Sequence, residues 1–214
     1  MKKILIIFCI ALSSSLFAQK FDGFVITESD SIFKGYMRIL NGGEKGIKFL
    51  ITRDKKKKPR AFFSSELKYY AFKKDTFAYL QNFYLFENTE YPIERLEAKV
   101  LFSHGNLKLY SSSIIPHKKD PQRVTTYFPG APMPNGMPGV GSFSTQAEPI
   151  YIVKNRDGYL TGVRKNKKDF IKAMEVLIGD NTDLISEIKP GKLRFADMKK
   201  IIALYNKSRN EVSQ

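Results

Sequence analysis

The sequence predicts an α+β protein: an antiparallel sheet of about eight strands, curled toward a barrel or sandwich, with two or three C-terminal helices packed on it. Three observations carry that expectation. From Phe21 to Ser112 short runs dense in Phe, Tyr, Val and Ile alternate with turn residues. Residues 113–149 hold seven prolines and four glycines, a composition that cannot sustain ladder bonds. From Arg164 onward, apolar residues recur at helical intervals.

The chain opens with Lys2 and Lys3, an apolar run from Ile4 to Leu12, then Ser13, Ser14, Ser15, Leu16, Phe17 and Ala18. A positive start, a short apolar core and a small residue before the cut make residues 1–18 a secretory signal peptide, with Gln19 the first mature residue. The lone cysteine, Cys9, leaves with it, and Phe8 before it does not suit lipid attachment. No later stretch reaches the ~18 apolar residues of a membrane helix. The expected location is periplasmic or extracellular. The expected organisation is a β-rich domain over 19–163, interrupted by a mobile Pro/Gly-rich loop at 113–149, and a helical segment over 164–214 packed on the same core.

Phe21 to Thr27 and Ile32 to Leu40 flank Glu28-Ser29-Asp30-Ser31, a polar link of hairpin length, and Asn41 to Gly46 returns the chain into Ile47 to Thr52. Arg53 to Arg60 is a charged loop, because burying adjacent ammonium groups without partners is prohibitive. Strand character resumes at Ala61. Ser64 to Leu67 reads as one helical turn, and Lys68 to Lys73 pairs with Thr76 to Leu80 about Lys74-Asp75. Ala98 to Phe102 joins Leu107 to Ser111 through His104-Gly105-Asn106. Ile150 to Asn155 and Tyr159 to Val163 flank Arg156-Asp157-Gly158.

Phe170, Ile171, Met174, Leu177 and Ile178 line one face of a helix that Asn166 caps and Gly179 leaves. Thr182-Asp183 starts a short helix carrying Leu184, Ile185 and Ile188, ended by Pro190-Gly191. The last helix aligns Phe195, Met198, Ile201, Ile202 and Tyr205. With Ala18-Gln19, the hairpin from Gly23-Phe24-Val25 to Gly35-Tyr36, Gly105-Asn106-Leu107-Lys108-Leu109-Tyr110, Ile150-Tyr151-Ile152-Val153-Lys154 and Ile201-Ile202-Ala203-Leu204-Tyr205-Asn206, the chain resembles a group of uncharacterised exported proteins of Gram-negative bacteria. The resemblance implies export and fold. It brings no activity, cofactor or site residue.

Hydrophobic residues at 43% and charged residues at 27% exclude wholesale disorder and a multi-span membrane protein. The formal charge of +15 points to an acidic or anionic partner. Two histidines, His104 and His117, leave a metal site short of ligands. Ser103 and His104 are adjacent, so a strand sends them to opposite faces and they form no catalytic couple. Asp180 and Asp183 read as helix-end caps. Gly139-Val140-Gly141 lacks the third glycine of a dinucleotide loop. No catalytic residue, metal or cofactor is therefore expected.

Basic residues cluster at Arg53, Lys55, Lys56, Lys57, Lys58 and Arg60, at Lys118 and Lys119, and at Arg164, Lys165, Lys167 and Lys168. They are the candidate surface for an anionic envelope component or an acidic protein, and the expected compartment argues against nucleic acid. Tyr69, Tyr70, Phe77 and Tyr79 are candidates to line a pocket. The function expected is a non-catalytic binding or structural module of the cell envelope. The alternatives are a β-barrel carrier of a lipid or glycan, and a hydrolase without a recognisable motif.

Overall fold

Alternation of apolar and polar residues places every second side chain of a strand on one face, and in the computed structural model this alternation gives the strands one buried and one more exposed face. The structure describes residues 21–42, 46–54, 57–86, 92–116, 124–126 and 147–212. The expected signal peptide, residues 1–18 with Cys9, and His117 lie outside them. The fold is α+β: eleven strands, antiparallel and not closed, with three C-terminal helices. The chain divides into two compact units, up to Thr76 and from Phe77.

In the first unit β1 (Phe21–Thr27), β2 (Ile32–Asn41), β3 (Ile47–Thr52), β4 (Arg60–Phe63) and β5 (Leu67–Phe72) run in the order β5-β1-β2-β3-β4. Val25 faces Phe33 on one side and Tyr70 on the other, Met37 faces Ile51, and Phe49 faces Phe62. That register brings the apolar set to one face, where Val25, Met37 and Phe49 are wholly buried. The β1–β2 turn is closed by the Thr27 amide donating to the Ser31 carbonyl and the Asp30 amide donating to the Thr27 carbonyl, with Asp30 in the left-handed region at φ 60° and its carboxylate 2.9 Å from Lys68 Nζ.

The second unit holds β6 (Asp75–Phe83, beginning two residues earlier), β7 (Ile93–Phe102), β8 (Lys108–Pro116), β10 (Glu148–Lys154) and β11 (Leu160–Val163) as neighbours in that order, with β9 (Val124–Thr126) paired to β8. Leu109 faces Val153, and Tyr151 faces Val163. Onto this face pack α1 (Lys167–Ile178), α2 (Thr182–Ile188) and α3 (Met198–Val212), whose Phe170, Met174, Ile178, Ile188, Met198, Ile201 and Ile202 share one buried cluster with Leu107, Leu109, Val153 and Val163. Each stripe is a helix face that water would otherwise wet, and burying one such side chain stabilises by about 1.5–3 kcal/mol.

Asn206 on α3 ties the helices to the β7–β8 turn. Its Nδ2 donates to the carbonyls of Leu107 (2.8 Å) and His104 (3.1 Å), and its Oδ1 accepts from the Leu107 amide at 2.9 Å. Gly105 must be glycine there, because its φ is +90° and a Cβ would sit 2.5 Å from Asn206 Cγ.

Several expectations are corrected. Among the described residues the strands number eleven where about eight were expected, within the expected α+β architecture of an antiparallel sheet and C-terminal helices. β7 begins at Ile93, ahead of the expected Ala98, because alternating acids and bases mask its buried positions. The 113–149 segment is strand at both ends and in β9: Ile114 faces Thr126 and Pro116 faces Val124, since β-branched residues there outweigh the nearby prolines. The rest of that segment lies outside the described residues. Asp180 is no cap. It accepts from the Tyr205 hydroxyl at 3.2 Å and pairs with Arg209, while Asn181 caps α2 through the Leu184 amide at 3.1 Å.

Candidate functional site

Beyond β3 the chain turns through the charged loop, with the Thr52 hydroxyl donating to the Asp54 carbonyl and the Lys57 amide donating to the same oxygen at 3.0 Å. Arg60 then opens β4 opposite Ile51. Its guanidinium lies 4.3 Å from the Phe33 ring centroid and 5.3 Å from that of Phe62, and the two rings are 4.8 Å apart. An arginine stacked on two rings keeps its charge while its planar face is desolvated against carbon. Arg53, Lys57 and Lys58 are exposed, and among the described residues none of the three has an ion-pair partner. Lys55 and Lys56 lie outside the described residues.

Beside this loop is a shallow groove of about 590 Å³ lined by Ile32, Lys34, Gly35 and Arg53. Ile32 is 53% exposed. At Gly35 a Cβ would come within 2.4 Å of the Thr52 carbonyl oxygen, so glycine lets β2 and the end of β3 run close beneath the groove. Lys34, like Arg53, has no ion-pair partner among the described residues.

In the second unit the basic cluster splits. Arg164 stacks on Phe86, its guanidinium carbon 3.9 Å from the ring centroid, and its Nε is shielded from solvent without a hydrogen-bond partner. Lys165, Lys167 and Lys168 are exposed around the start of α1, which Asn166 caps by accepting from the Lys168 amide at 2.9 Å and the Asp169 amide at 3.4 Å. Lys118 and Lys119 lie outside the described residues.

The four aromatic candidates have separate settings. Tyr70 is 5% exposed and its ring is 4.7 Å from that of Phe49, inside the core of the first unit. Tyr69 is half-buried on the opposite face of β5, as neighbours in a strand must be. Phe77 is half-buried and faces Lys99. Tyr79 is buried, faces Glu97, and donates its hydroxyl to Glu97 Oε2 at 3.0 Å, with the Arg95 guanidinium 4.4 Å from its ring centroid.

Glu97 was missed by sequence reasoning, although it is 3% exposed. A buried carboxylate needs donors or a cation, and here the phenol beside it supplies one. The only signal was an acid between Leu96 and Ala98, and its partner depends on strand register. Lys34 and Ile32 were missed because a groove is a property of two strands together. Among the described residues no group of three His, Cys, Asp or Glu side chains could hold a metal ion.

The fold and these surfaces define the class: a strongly basic α+β protein with an open antiparallel sheet. Comparison with protein-family models, with curated proteins and with solved structures finds no match to the chain.

Proposed function

We propose that this protein is an exported, non-catalytic binding module of the cell envelope that engages an anionic component through its basic surface. The observation that carries the reading is the set of exposed cations without acids to answer them: Arg53, Lys57 and Lys58 in the first unit and Lys165, Lys167 and Lys168 in the second have no ion-pair partner among the described residues. Unpaired surface charge adds little to folding, about 0–1 kcal/mol per group at most, but it attracts anions over a Debye length. The Lys2-Lys3 start, the apolar run and Ala18 support export, and the envelope presents anionic lipid headgroups, glycans and acidic proteins to an exported chain.

The test changes Lys55, Lys56, Lys57 and Lys58 to glutamine and compares sedimentation with isolated envelope fragments at low salt. The expected result is weaker sedimentation of the variant with an unchanged melting temperature. Equal sedimentation of variant and parent removes the loop from the function.

A further inference from the structure

We infer that the groove between β2 and the end of β3 is a binding site for a single-chain amphiphile with a small anionic headgroup, a phosphate monoester or a carboxylate. The inference rests on the anion-binding reading above and names the ligand class and the place.

Among the described residues four line the groove, and they divide by chemistry. Lys34 and Arg53 are cations, and Asp54, the next residue in sequence, is not among the lining residues. Two positive groups on one concavity, with no acid partner among the described residues, repel each other, and an anion set between them relieves the repulsion of both. Three cations elsewhere are answered: Lys68 by Asp30, Lys189 by Glu175 and Arg209 by Asp180. Guanidinium and ammonium together fit an oxyanion, the first as a planar fork and the second as a point charge.

Ile32 supplies the other half. A β-branched apolar side chain left 53% exposed beside two cations offers a surface for hydrocarbon, and covering it removes apolar area from water. Gly35 forms the floor, where the close Thr52 carbonyl leaves no room for a side chain. At about 590 Å³ the groove has the size of sites that hold small organic ligands, roughly 300–1,000 Å³, and its shallow form suits a chain lying along it more than an enclosed ring system.

The experiment is titration calorimetry on the exported chain purified from its producing cell, with dodecyl phosphate below its micelle concentration, dodecanoate, dodecyl maltoside and inorganic phosphate as probes. Dodecyl phosphate is expected to bind saturably at one site, and the comparison with dodecanoate tells which headgroup is preferred. Dodecyl maltoside and inorganic phosphate, each lacking one half of the ligand, are expected to bind about tenfold or more weakly. The double variant Lys34→Gln/Arg53→Gln should lose about tenfold or more in affinity for dodecyl phosphate, Ile32→Ser should also weaken it, and Lys57→Gln/Lys58→Gln should retain it. All five positions substituted are on the surface, so a retained melting temperature shows that the fold is kept. Equal binding of the anionic and maltoside amphiphiles overturns the inference, and so does an unaffected Lys34→Gln/Arg53→Gln variant. Equal loss in the Lys57→Gln/Lys58→Gln variant overturns the groove while leaving the basic-surface reading standing. Intact dodecyl phosphate binding by a protein that ignores envelope fragments overturns that broader reading alone.

Discussion

Replacing Asn206 by leucine tests how the helical segment is fastened to the sheet. The side chain is 5% exposed and makes three hydrogen bonds, two of them to the amide and carbonyl of buried Leu107. Leucine of similar size removes all three and gives Leu107 no new partner. An unsatisfied buried main-chain group costs about 1–3 kcal/mol, so the Leu107 pair costs about 4 kcal/mol at the middle of that range. The His104 carbonyl belongs to an exposed residue, where water replaces the lost donor. The added apolar contact returns about 1 kcal/mol, and the expected net loss is about 3 kcal/mol. In a chain of this size that lowers the melting temperature by about 6–12 °C. Calorimetry reads the melting shift and amide hydrogen exchange reads Leu107 itself, whose N–H should exchange faster in the variant. An unchanged melting temperature together with unchanged Leu107 exchange would refute the clamp.

Three further outcomes are expected. Gly105→Ala should destabilise by about 1–3 kcal/mol, since it adds a Cβ at φ +90° and 2.5 Å from Asn206 Cγ. The measurement is urea unfolding, and a midpoint like the parent's contradicts the close approach. Ile202→Asp places a carboxylate where the side chain is wholly buried and should cost about 3 kcal/mol or more; a variant that melts like the parent means the α3 stripe is not core. Tyr205 has its phenol pKa raised above the usual 10.0 by burial. A raised acid is protonated longer in the folded state, so its stabilising effect is whole below pH 10 and is lost as pH rises through the folded value. Stability measured across that range should therefore fall less steeply for Tyr205→Phe than for the parent, and identical slopes contradict it.

Local signals were legible where chemistry is local. The hairpin turn Glu28 to Ser31 places β1 and β2, Ile47–Thr52 is a strand with the expected bounds, and Asn166 caps α1 as its spacing predicts. The helical stripe from Phe170 to Tyr205 is read from periodicity alone and meets the sheet it needs. What was hidden depends on pairing across distance. Nothing near Glu97 names Tyr79 as its partner, because that contact follows from β6–β7 register. Asn206 and the Leu107 main chain are 99 residues apart. Asp180 was misread as a cap because its true partners, Tyr205 and Arg209, sit a helix away. For the candidate site, the basic residues Arg53 and Arg60 were visible as a charge run, but not that Arg60 stacks on Phe33 and Phe62 or that Arg53 shares a groove with Lys34. Charge is written along the chain, whereas concavity arises only when strands pair.

The most direct test of the proposed binding role is a salt series of the purified chain on vesicles with anionic headgroups, beside vesicles that are wholly zwitterionic. Attraction to anionic headgroups through exposed cations is screened as the Debye length falls, from about 10 Å at 0.1 M salt to about 3 Å at 1 M. Binding to the anionic vesicles is expected at low salt, with progressive release as salt rises and little binding to the zwitterionic ones. Equal binding to both vesicles, or binding to neither at low salt, contradicts the proposed role.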